Sequence, residues 1–109
     1  MNRTESVDLA IKAFSKQIGK LYGEKLIEIR LYGSRARGDH EKDSDVDLLV
    51  ILKDFSDFWE EFKKISEYAS TISLEFDIVI SAIPICESEW KARNTPLILN
   101  ARREGMAIG

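Results

Sequence analysis

The chain has 109 residues, of which 44% are hydrophobic and 32% charged, so it suits one folded domain over residues 1–109 rather than a disordered chain. Its net charge of −3 argues against a broad basic surface for long nucleic acid. The single cysteine excludes an internal disulfide, and no apolar run approaches the ~18 residues of a membrane span, so we expect a cytoplasmic protein with no membrane partner.

The N-terminal third predicts an amphipathic helix followed by a strand. Apolar residues recur at helical spacing from Thr4, a suitable N-cap, to about Tyr22, and Gly23 occupies the position that ends the helix. The segment from Lys25 to Gly33 is rich in β-branched and large apolar residues that alternate with charged ones, which favours a strand.

The middle of the chain predicts a polar connection, a buried strand and a second helix. Residues 35–42 are polar and indicate a short turn or helix followed by a loop. Residues 45–52 become apolar on both faces, as in a central strand covered by helices. Asp57, with Glu60 three residues later, resembles a capping box at the start of a helix that continues to about Ala69.

The C-terminal third predicts one more strand and two short helices. The strand covers residues 74–83 and is ended by Pro84; one helix lies around residues 88–93, and another begins with Pro96 and stops at Gly105. Helices and strands therefore alternate along the chain. This order predicts a compact α/β domain in which helices flank a mixed sheet of three or more strands.

Two aspartates stand at the start of the second predicted strand. Residues i and i+2 of a strand point to the same face, so the carboxylates of Asp45 and Asp47 project side by side. Their mutual repulsion is relieved by a divalent cation, and a small set of hard oxygen ligands favours Mg²⁺ or Mn²⁺ together with substrate phosphates. The pair therefore predicts a site for a nucleoside triphosphate with one or two metal ions.

The phosphate side of that site is predicted at the turn after the first strand. Gly33 allows the backbone to approach a ligand closely, and Ser34 adds a hydroxyl donor where a short helix begins. Arg35 and Arg37 can add bidentate contacts to phosphate, although exposed loop charges are an equally acceptable interpretation. We expect the triphosphate at this turn and the metal between it and the aspartates.

A third carboxylate is expected from the third predicted strand. Asp77 stands in an otherwise apolar segment, where an unpartnered aspartate is costly to bury, and it would complete the pocket if this strand lies beside the second. It would then hold the metal near the attacking oxygen and could accept its proton. An ion pair of Asp77 with Arg30 is the alternative, and Glu75 ranks lower as a ligand because it lies nearer the strand start.

The sequence from Gly33 to Gly38 (GSRARG), followed by Ser44 to Leu49 (SDVDLL), resembles the signature of the DNA polymerase β nucleotidyltransferase superfamily, and more closely its minimal MNT members, including MntA-type antitoxins. The resemblance extends over about residues 20–109. It implies a polymerase β-like fold in which Asp45, Asp47 and Asp77 bind metal while Gly33 and Ser34 contact the nucleotide phosphates.

The resemblance also implies a partner. Such proteins commonly bind a HEPN-domain ribonuclease toxin in a hetero-oligomer, and active members transfer AMP from ATP to a tyrosine of that toxin, which neutralises it. Two other interpretations stay open: an antitoxin that neutralises its partner by binding alone with a vestigial nucleotide site, and an adenylyltransferase that modifies a small molecule such as an antibiotic.

Several other residues have simpler interpretations. His40 is expected in a surface loop rather than in catalysis, and Cys86 is expected as a partly buried apolar residue rather than a nucleophile. The aromatic residues Trp59, Phe62 and Tyr68 are assigned to the core and the helix surface rather than to a platform that stacks on a base.

Overall fold

The computed structural model describes residues 2–38 and 45–108. Five α-helices lie in these ranges: α1 (Arg3–Tyr22), α2 (Ser34–Arg37), α3 (Phe58–Phe76), α4 (Glu87–Ala92) and α5 (Pro96–Glu104). The four strands are β1 (Leu26–Tyr32), β2 (Val46–Leu52), β3 (Ile80–Cys86) and β4 (Met106–Ile108), and a 3-10 turn over Gly23–Lys25 joins α1 to β1.

The strands form one mixed sheet in the order β3-β2-β1-β4. β1 pairs antiparallel with both β2 and β4, whereas β2 pairs parallel with β3. The prediction of an α/β domain with a mixed sheet is confirmed. In this order β2 is a central strand and β3 is an edge strand, so whatever projects from the start of β2 lies between the end of β1 and the start of β3.

One face of the sheet, called here the first face, carries the main hydrophobic core. Helices α1 and α3 cover it, with Phe14, Ile18 and Ile65 fully buried against the sheet. From β2 the even-numbered side chains point into this core, and Leu48 and Val50 have no exposed surface. Burial of large aliphatic groups on this face is the main source of the fold's stability.

The opposite, second face has a smaller core and only partial cover. Ile51 of β2, Ile85 of β3 and Ile98 of α5 pack together there, with Trp90 of α4 against them. The guanidinium of Arg30 lies 5.5 Å from the centre of the Trp90 ring, within the range of a cation–π contact. Helices α4 and α5 thus cover the second face near the end of β2.

Helix caps explain two of the helix starts. The side chain of Asp57 accepts hydrogen bonds from the backbone N–H groups of Trp59 and Glu60, at 3.0 and 3.2 Å, so the predicted cap of α3 is confirmed. The predicted cap of α1 is wrong, because Asn2 rather than Thr4 accepts from a first-turn N–H group, and the helix therefore begins at Arg3.

The boundary between α3 and β3 also differs from the prediction. The helix continues to Phe76, and the strand begins only at Ile80, so the predicted strand start at Leu74 is wrong. The reason is that Phe76 extends the helical series of core contacts through Ile72. Pro84 does not end β3 either, and an edge strand tolerates proline because one side of it has no ladder partner.

The last strand, β4, was not predicted at all. It pairs with β1 at the other edge of the sheet, over the register Ile29↔Ile108 to Leu31↔Met106.

No helix within residues 2–38 and 45–108 has both the length and the apolar character needed to cross a membrane.

Candidate active site

Asp45 and Asp47 lie where β2 enters the sheet on its second face. Asp47 is the second residue of the strand and Asp45 immediately precedes it, so strand alternation places both carboxylates on the side of Leu49 and Ile51. Unlike Leu49 and Ile51, which are buried, the two aspartates reach solvent: Asp47 is half-buried and Asp45 is exposed. The predicted pairing of the two aspartates on one face is therefore consistent with the backbone of β2.

Gly33 packs directly against Asp47. It follows β1, whose last residue Tyr32 is the register partner of Asp47. A Cβ atom placed on Gly33 would lie 2.6 Å from Oδ2 of Asp47, closer than real Cβ contacts allow, and the φ of Gly33 is +78°. Both space and backbone conformation therefore require glycine at this position.

The charge of Asp45 affects the ionisation of Asp47, and the charge of Asp47 affects that of a nearby phenol. Burial and, second, the negative charge of Asp45 raise the pKa of Asp47 above its ordinary value. Burial, followed by the charge of Asp47, raises the pKa of Tyr32 to about 12. The concentration of negative charge is the electrostatic condition under which a cation binds favourably.

The helix α2 follows Gly33 and carries the remaining predicted phosphate ligands. Ser34 is its first residue, and the backbone N–H groups of Ala36 and Arg37 donate to the Gly33 carbonyl at 3.1 Å, which closes the turn tightly. Arg35 is half-buried. The Nη1 atom of Arg37 forms an ion pair of 3.2 Å with Glu104 of α5, and its role as a phosphate ligand stays a prediction.

The placement of Asp77 in a strand was wrong. Asp77 ends α3 in the left-handed conformation, with φ 55° and ψ 47°, and its backbone N–H donates to the carbonyl of Ser73. Aspartate tolerates this conformation better than most residues do. The Asp77 carbonyl accepts a 2.6 Å hydrogen bond from Arg3, which ties this turn to the start of α1.

The expected cluster of three carboxylates is therefore not formed here. In the part of the chain that the structure describes, no three His, Cys, Asp or Glu side chains lie close enough together to hold a metal ion. The β3 residue opposite Asp47 is Ser81, and Val46 bonds through its N–H to the carbonyl of Val79 at 2.8 Å. Asp77 lies upstream of this paired segment.

Ser81 and Tyr32 are site residues that the sequence interpretation missed. Tyr32 directly precedes Gly33, and antiparallel pairing of the two motif-bearing strands would have placed it opposite Asp47. Ser81 had no comparable signal, because its position depends on the register of β3.

His40 lies outside the described residues. Cys86 is half-buried and burial raises the pKa of its thiol, which disfavours the thiolate and agrees with the structural interpretation.

Comparison with known proteins agrees with this geometry. Residues 11–104 match the nucleotidyltransferase domain family. The chain is 44% identical over 73 residues to a Methanocaldococcus jannaschii protein named "Putative protein adenylyltransferase MJ0141", which covers 67% of this chain and 73% of the relative.

Two solved structures have the same fold. A toxin–antitoxin complex crystallised with AMP-PNP is similar with a TM-score of 0.58 and 21% identity, covering 86% of this chain and 68% of that one. A Shewanella oneidensis complex of a tri-AMPylated HEPN toxin with its MNT antitoxin is similar with a TM-score of 0.52 and 19% identity, covering 90% and 70%.

The chain therefore belongs to the nucleotidyltransferase domain family. Its fold is like that of a solved MntA toxin–antitoxin complex, with a TM-score of 0.56 and 18% identity, covering 98% of this chain and 72% of that one, as the motif resemblance implied.

Proposed function

We propose that this protein transfers AMP from ATP to a hydroxyl group of another protein in a reaction that depends on Mg²⁺. The observation that carries the proposal is the close packing of Gly33 against the Asp47 carboxylate, beside Asp45, at the start of β2. The name of the Methanocaldococcus relative, a protein adenylyltransferase, supports a protein as the acceptor.

The residues at this position suit a divalent cation. Two carboxylates on one face, one of them with a raised pKa, form a hard oxygen donor set that leaves positions for phosphate and water, as Mg²⁺ sites commonly do. Asp45 and Asp47 would hold one ion or bridge two, and Mn²⁺ is chemically acceptable at the same ligands. When bound, the cation neutralises charge on the triphosphate and on the attacking oxygen.

The other residues at the site would bind and orient the nucleotide. Gly33 and Ser34 are placed to contact the triphosphate, and Arg35 on α2 would add positive charge beside it. In the reaction, the acceptor oxygen forms a bond to the α-phosphorus, the bond to the pyrophosphate oxygen breaks, and the hydroxyl proton passes to water. Asp77 stays a predicted third metal ligand on the motif resemblance alone.

The acceptor we propose is a tyrosine of a cognate HEPN toxin, held in a hetero-oligomer, so that the protein acts as an antitoxin. The Shewanella oneidensis complex supports this because its HEPN toxin is AMPylated and bound to an MNT antitoxin. Neutralisation by binding alone is the alternative. It is less well supported, because a vestigial site would not require position 33 to lack a side chain, whereas any Cβ atom there would collide with the Asp47 carboxylate.

The test is the intact mass of the cognate HEPN protein that we propose as the acceptor, after incubation with the chain, ATP and Mg²⁺. We expect a mass increase of one or more adenylate groups, abolished by a metal chelator. A double variant, Asp45→Asn with Asp47→Asn, should still bind the HEPN protein but leave its mass unchanged. If that variant neutralises the toxin as well as the wild type does, binding alone is the function.

A further inference from the structure

A groove leads away from Asp45 on the side of β2 that is remote from Gly33. It has a volume of about 290 Å³ and runs between α3 and the edge strand β3, lined by Asp45, Phe62, Ser66, Ser70, Val79 and Ser81. Because β1 and β3 flank β2 on opposite sides, the turn after β1 and this groove approach the aspartates from opposite directions. We call it the α3–β3 groove.

An exposed aromatic cluster stands at the far end of the groove. Phe58, Trp59 and Phe62 on the first turns of α3 contact one another, with ring centres 5.1 to 5.9 Å apart. Trp59 leaves 72% of its surface exposed. Edge-to-face and stacked contacts hold the rings in place, so the cluster is an ordered apolar surface rather than a set of independent side chains.

The cluster and the groove form one continuous surface. Phe62 lines the groove and also borders the surface around Trp59. Ser70 lies eleven positions after Trp59, which corresponds to about 16 Å along a helix at 1.5 Å per residue. At the Asp45 end, Val79 leaves 58% of its surface exposed, so apolar area is available at both ends of the path.

We propose that the α3–β3 groove is the docking surface for the acceptor protein. An apolar side chain of the acceptor would pack on Trp59, and an extended segment would follow the groove and present its hydroxyl group at Asp45. This inference rests on the proposed function, which requires a second, protein substrate at the same aspartates. It assigns that substrate to the β3 side of β2 and the nucleotide to the Gly33 side.

The dimensions favour a polypeptide over the nucleotide itself. About five residues of extended chain span 16 Å at ~3.3 Å per residue. A base stacked on Trp59 would instead have to lie far from phosphates bound at Gly33, on the opposite side of β2. Tryptophan is among the residues that most often contribute a large share of the binding energy at protein–protein interfaces.

The experiment compares Trp59→Ala with a matched control on the same helix, Leu74→Ala. Leu74 is 85% exposed and does not line the groove, so the control removes a similarly exposed apolar side chain. For each protein, calorimetry measures the Kd for the proposed HEPN acceptor protein without ATP, and intact mass measures the KM of that protein in AMP transfer. A separate titration measures the affinity for AMP-PNP with Mg²⁺.

We expect Trp59→Ala to raise both the Kd and the KM for the HEPN protein about tenfold, with unchanged kcat and AMP-PNP affinity, whereas Leu74→Ala behaves as wild type. Groove-dependent binding without any AMP transfer would overturn the proposed function and leave the groove assignment standing. Transfer that does not depend on Trp59 would overturn the groove assignment alone. Weakened AMP-PNP binding, or no binding of the HEPN protein by the wild type, would also overturn it.

Discussion

The two faces of β2 differ in what they contribute. On the first face, Leu48 and Val50 are completely buried beneath α1 and α3, and their burial stabilises the fold. On the second face, Leu49 and Ile51 are buried in the same way. At the start of the strand, however, this face carries the carboxylates of Asp47 and Asp45 in place of aliphatic side chains. One strand therefore anchors the core and also carries two mutually repelling carboxylates. The contrast suggests that stability on one side supports an electrostatically unfavourable arrangement on the other.

The largest expected effect is on activity at the second face. Asp47→Asn keeps the shape of the side chain but removes the charge that would hold the cation, so we expect AMP transfer to fall about a thousandfold. Asp45→Asn should fall similarly. Asp77→Asn should lower AMP transfer by only about tenfold, because Asp77 ends α3 and does not belong to the pair formed by Asp45 and Asp47. The rates come from intact mass against time, and an Asp77 loss equal to that of Asp47 would show that its carboxylate joins the pair during the reaction.

The next effect is on stability at the first face. Leu48→Ala removes a fully buried side chain from the core, and we expect it to lower the free energy of unfolding by about 3 kcal/mol while folded protein keeps its activity. Urea unfolding measures the change. Leu74→Ala, at an exposed position of α3, is the control and should alter stability by less than about 0.5 kcal/mol. Equal losses would contradict the assignment of the core to this face.

A third comparison separates backbone strain from contact with the carboxylate. Gly33 and Gly38 both have positive φ, but only at Gly33 would a Cβ atom meet Asp47. Each change to alanine should cost about 1 kcal/mol of stability through backbone strain. We expect Gly33→Ala to lose at least about a hundredfold in AMP transfer, because the carboxylate must move. Gly38→Ala should stay within a fewfold of wild type, and comparable losses would argue that strain alone matters.

These comparisons also show which parts of the molecule the sequence could predict. The motif residues on β1 and β2 follow strand alternation and a tight turn, so the pairing of Asp45 with Asp47 beside Gly33 was predictable. The α3–β3 boundary was not. Leu74 and Phe76 alternate with Glu75 as in a strand, yet Phe76 packs one helical turn beyond Ile72 in the core, so tertiary contacts extended the helix.

The register of β3 was equally hidden, because it depends on where that helix stops. Asp77 was therefore assigned to a strand, and Ser81 was missed. The three-residue strand β4 is too short for its pattern to predict, and its position depends on pairing with the edge of β1.

The smallest expected effect is a gain in stability. Since burial and Asp45 raise the pKa of Asp47, the folded protein binds this proton more tightly than the unfolded chain does. Ionisation of Asp47 therefore destabilises the folded protein. This destabilisation is absent below the ordinary aspartate pKa of ~3.9, sets in as the pH rises, and is complete above the raised pKa. Asp47→Asn should therefore stabilise the metal-free protein at pH 7 by less than about 1 kcal/mol, after allowance for solvent screening, and not at pH 3.

Thermal unfolding at the two pH values, without divalent cations, measures this gain. Asp8→Asn, which changes an exposed aspartate of α1, is the matched control for replacing a carboxylate by an amide. A stabilisation by Asp47→Asn that is equal at both pH values would mean that packing rather than charge explains it.

The central claim is that Asp45 and Asp47, set against Gly33, bind a divalent cation together with the triphosphate. Calorimetric titration of AMP-PNP into the wild type and into the Asp45→Asn, Asp47→Asn double variant, each with and without Mg²⁺, tests it most directly. We predict binding by the wild type that strengthens at least tenfold with Mg²⁺, and loss of that strengthening in the double variant. Binding that is equally strong in both proteins and indifferent to Mg²⁺ would contradict the claim.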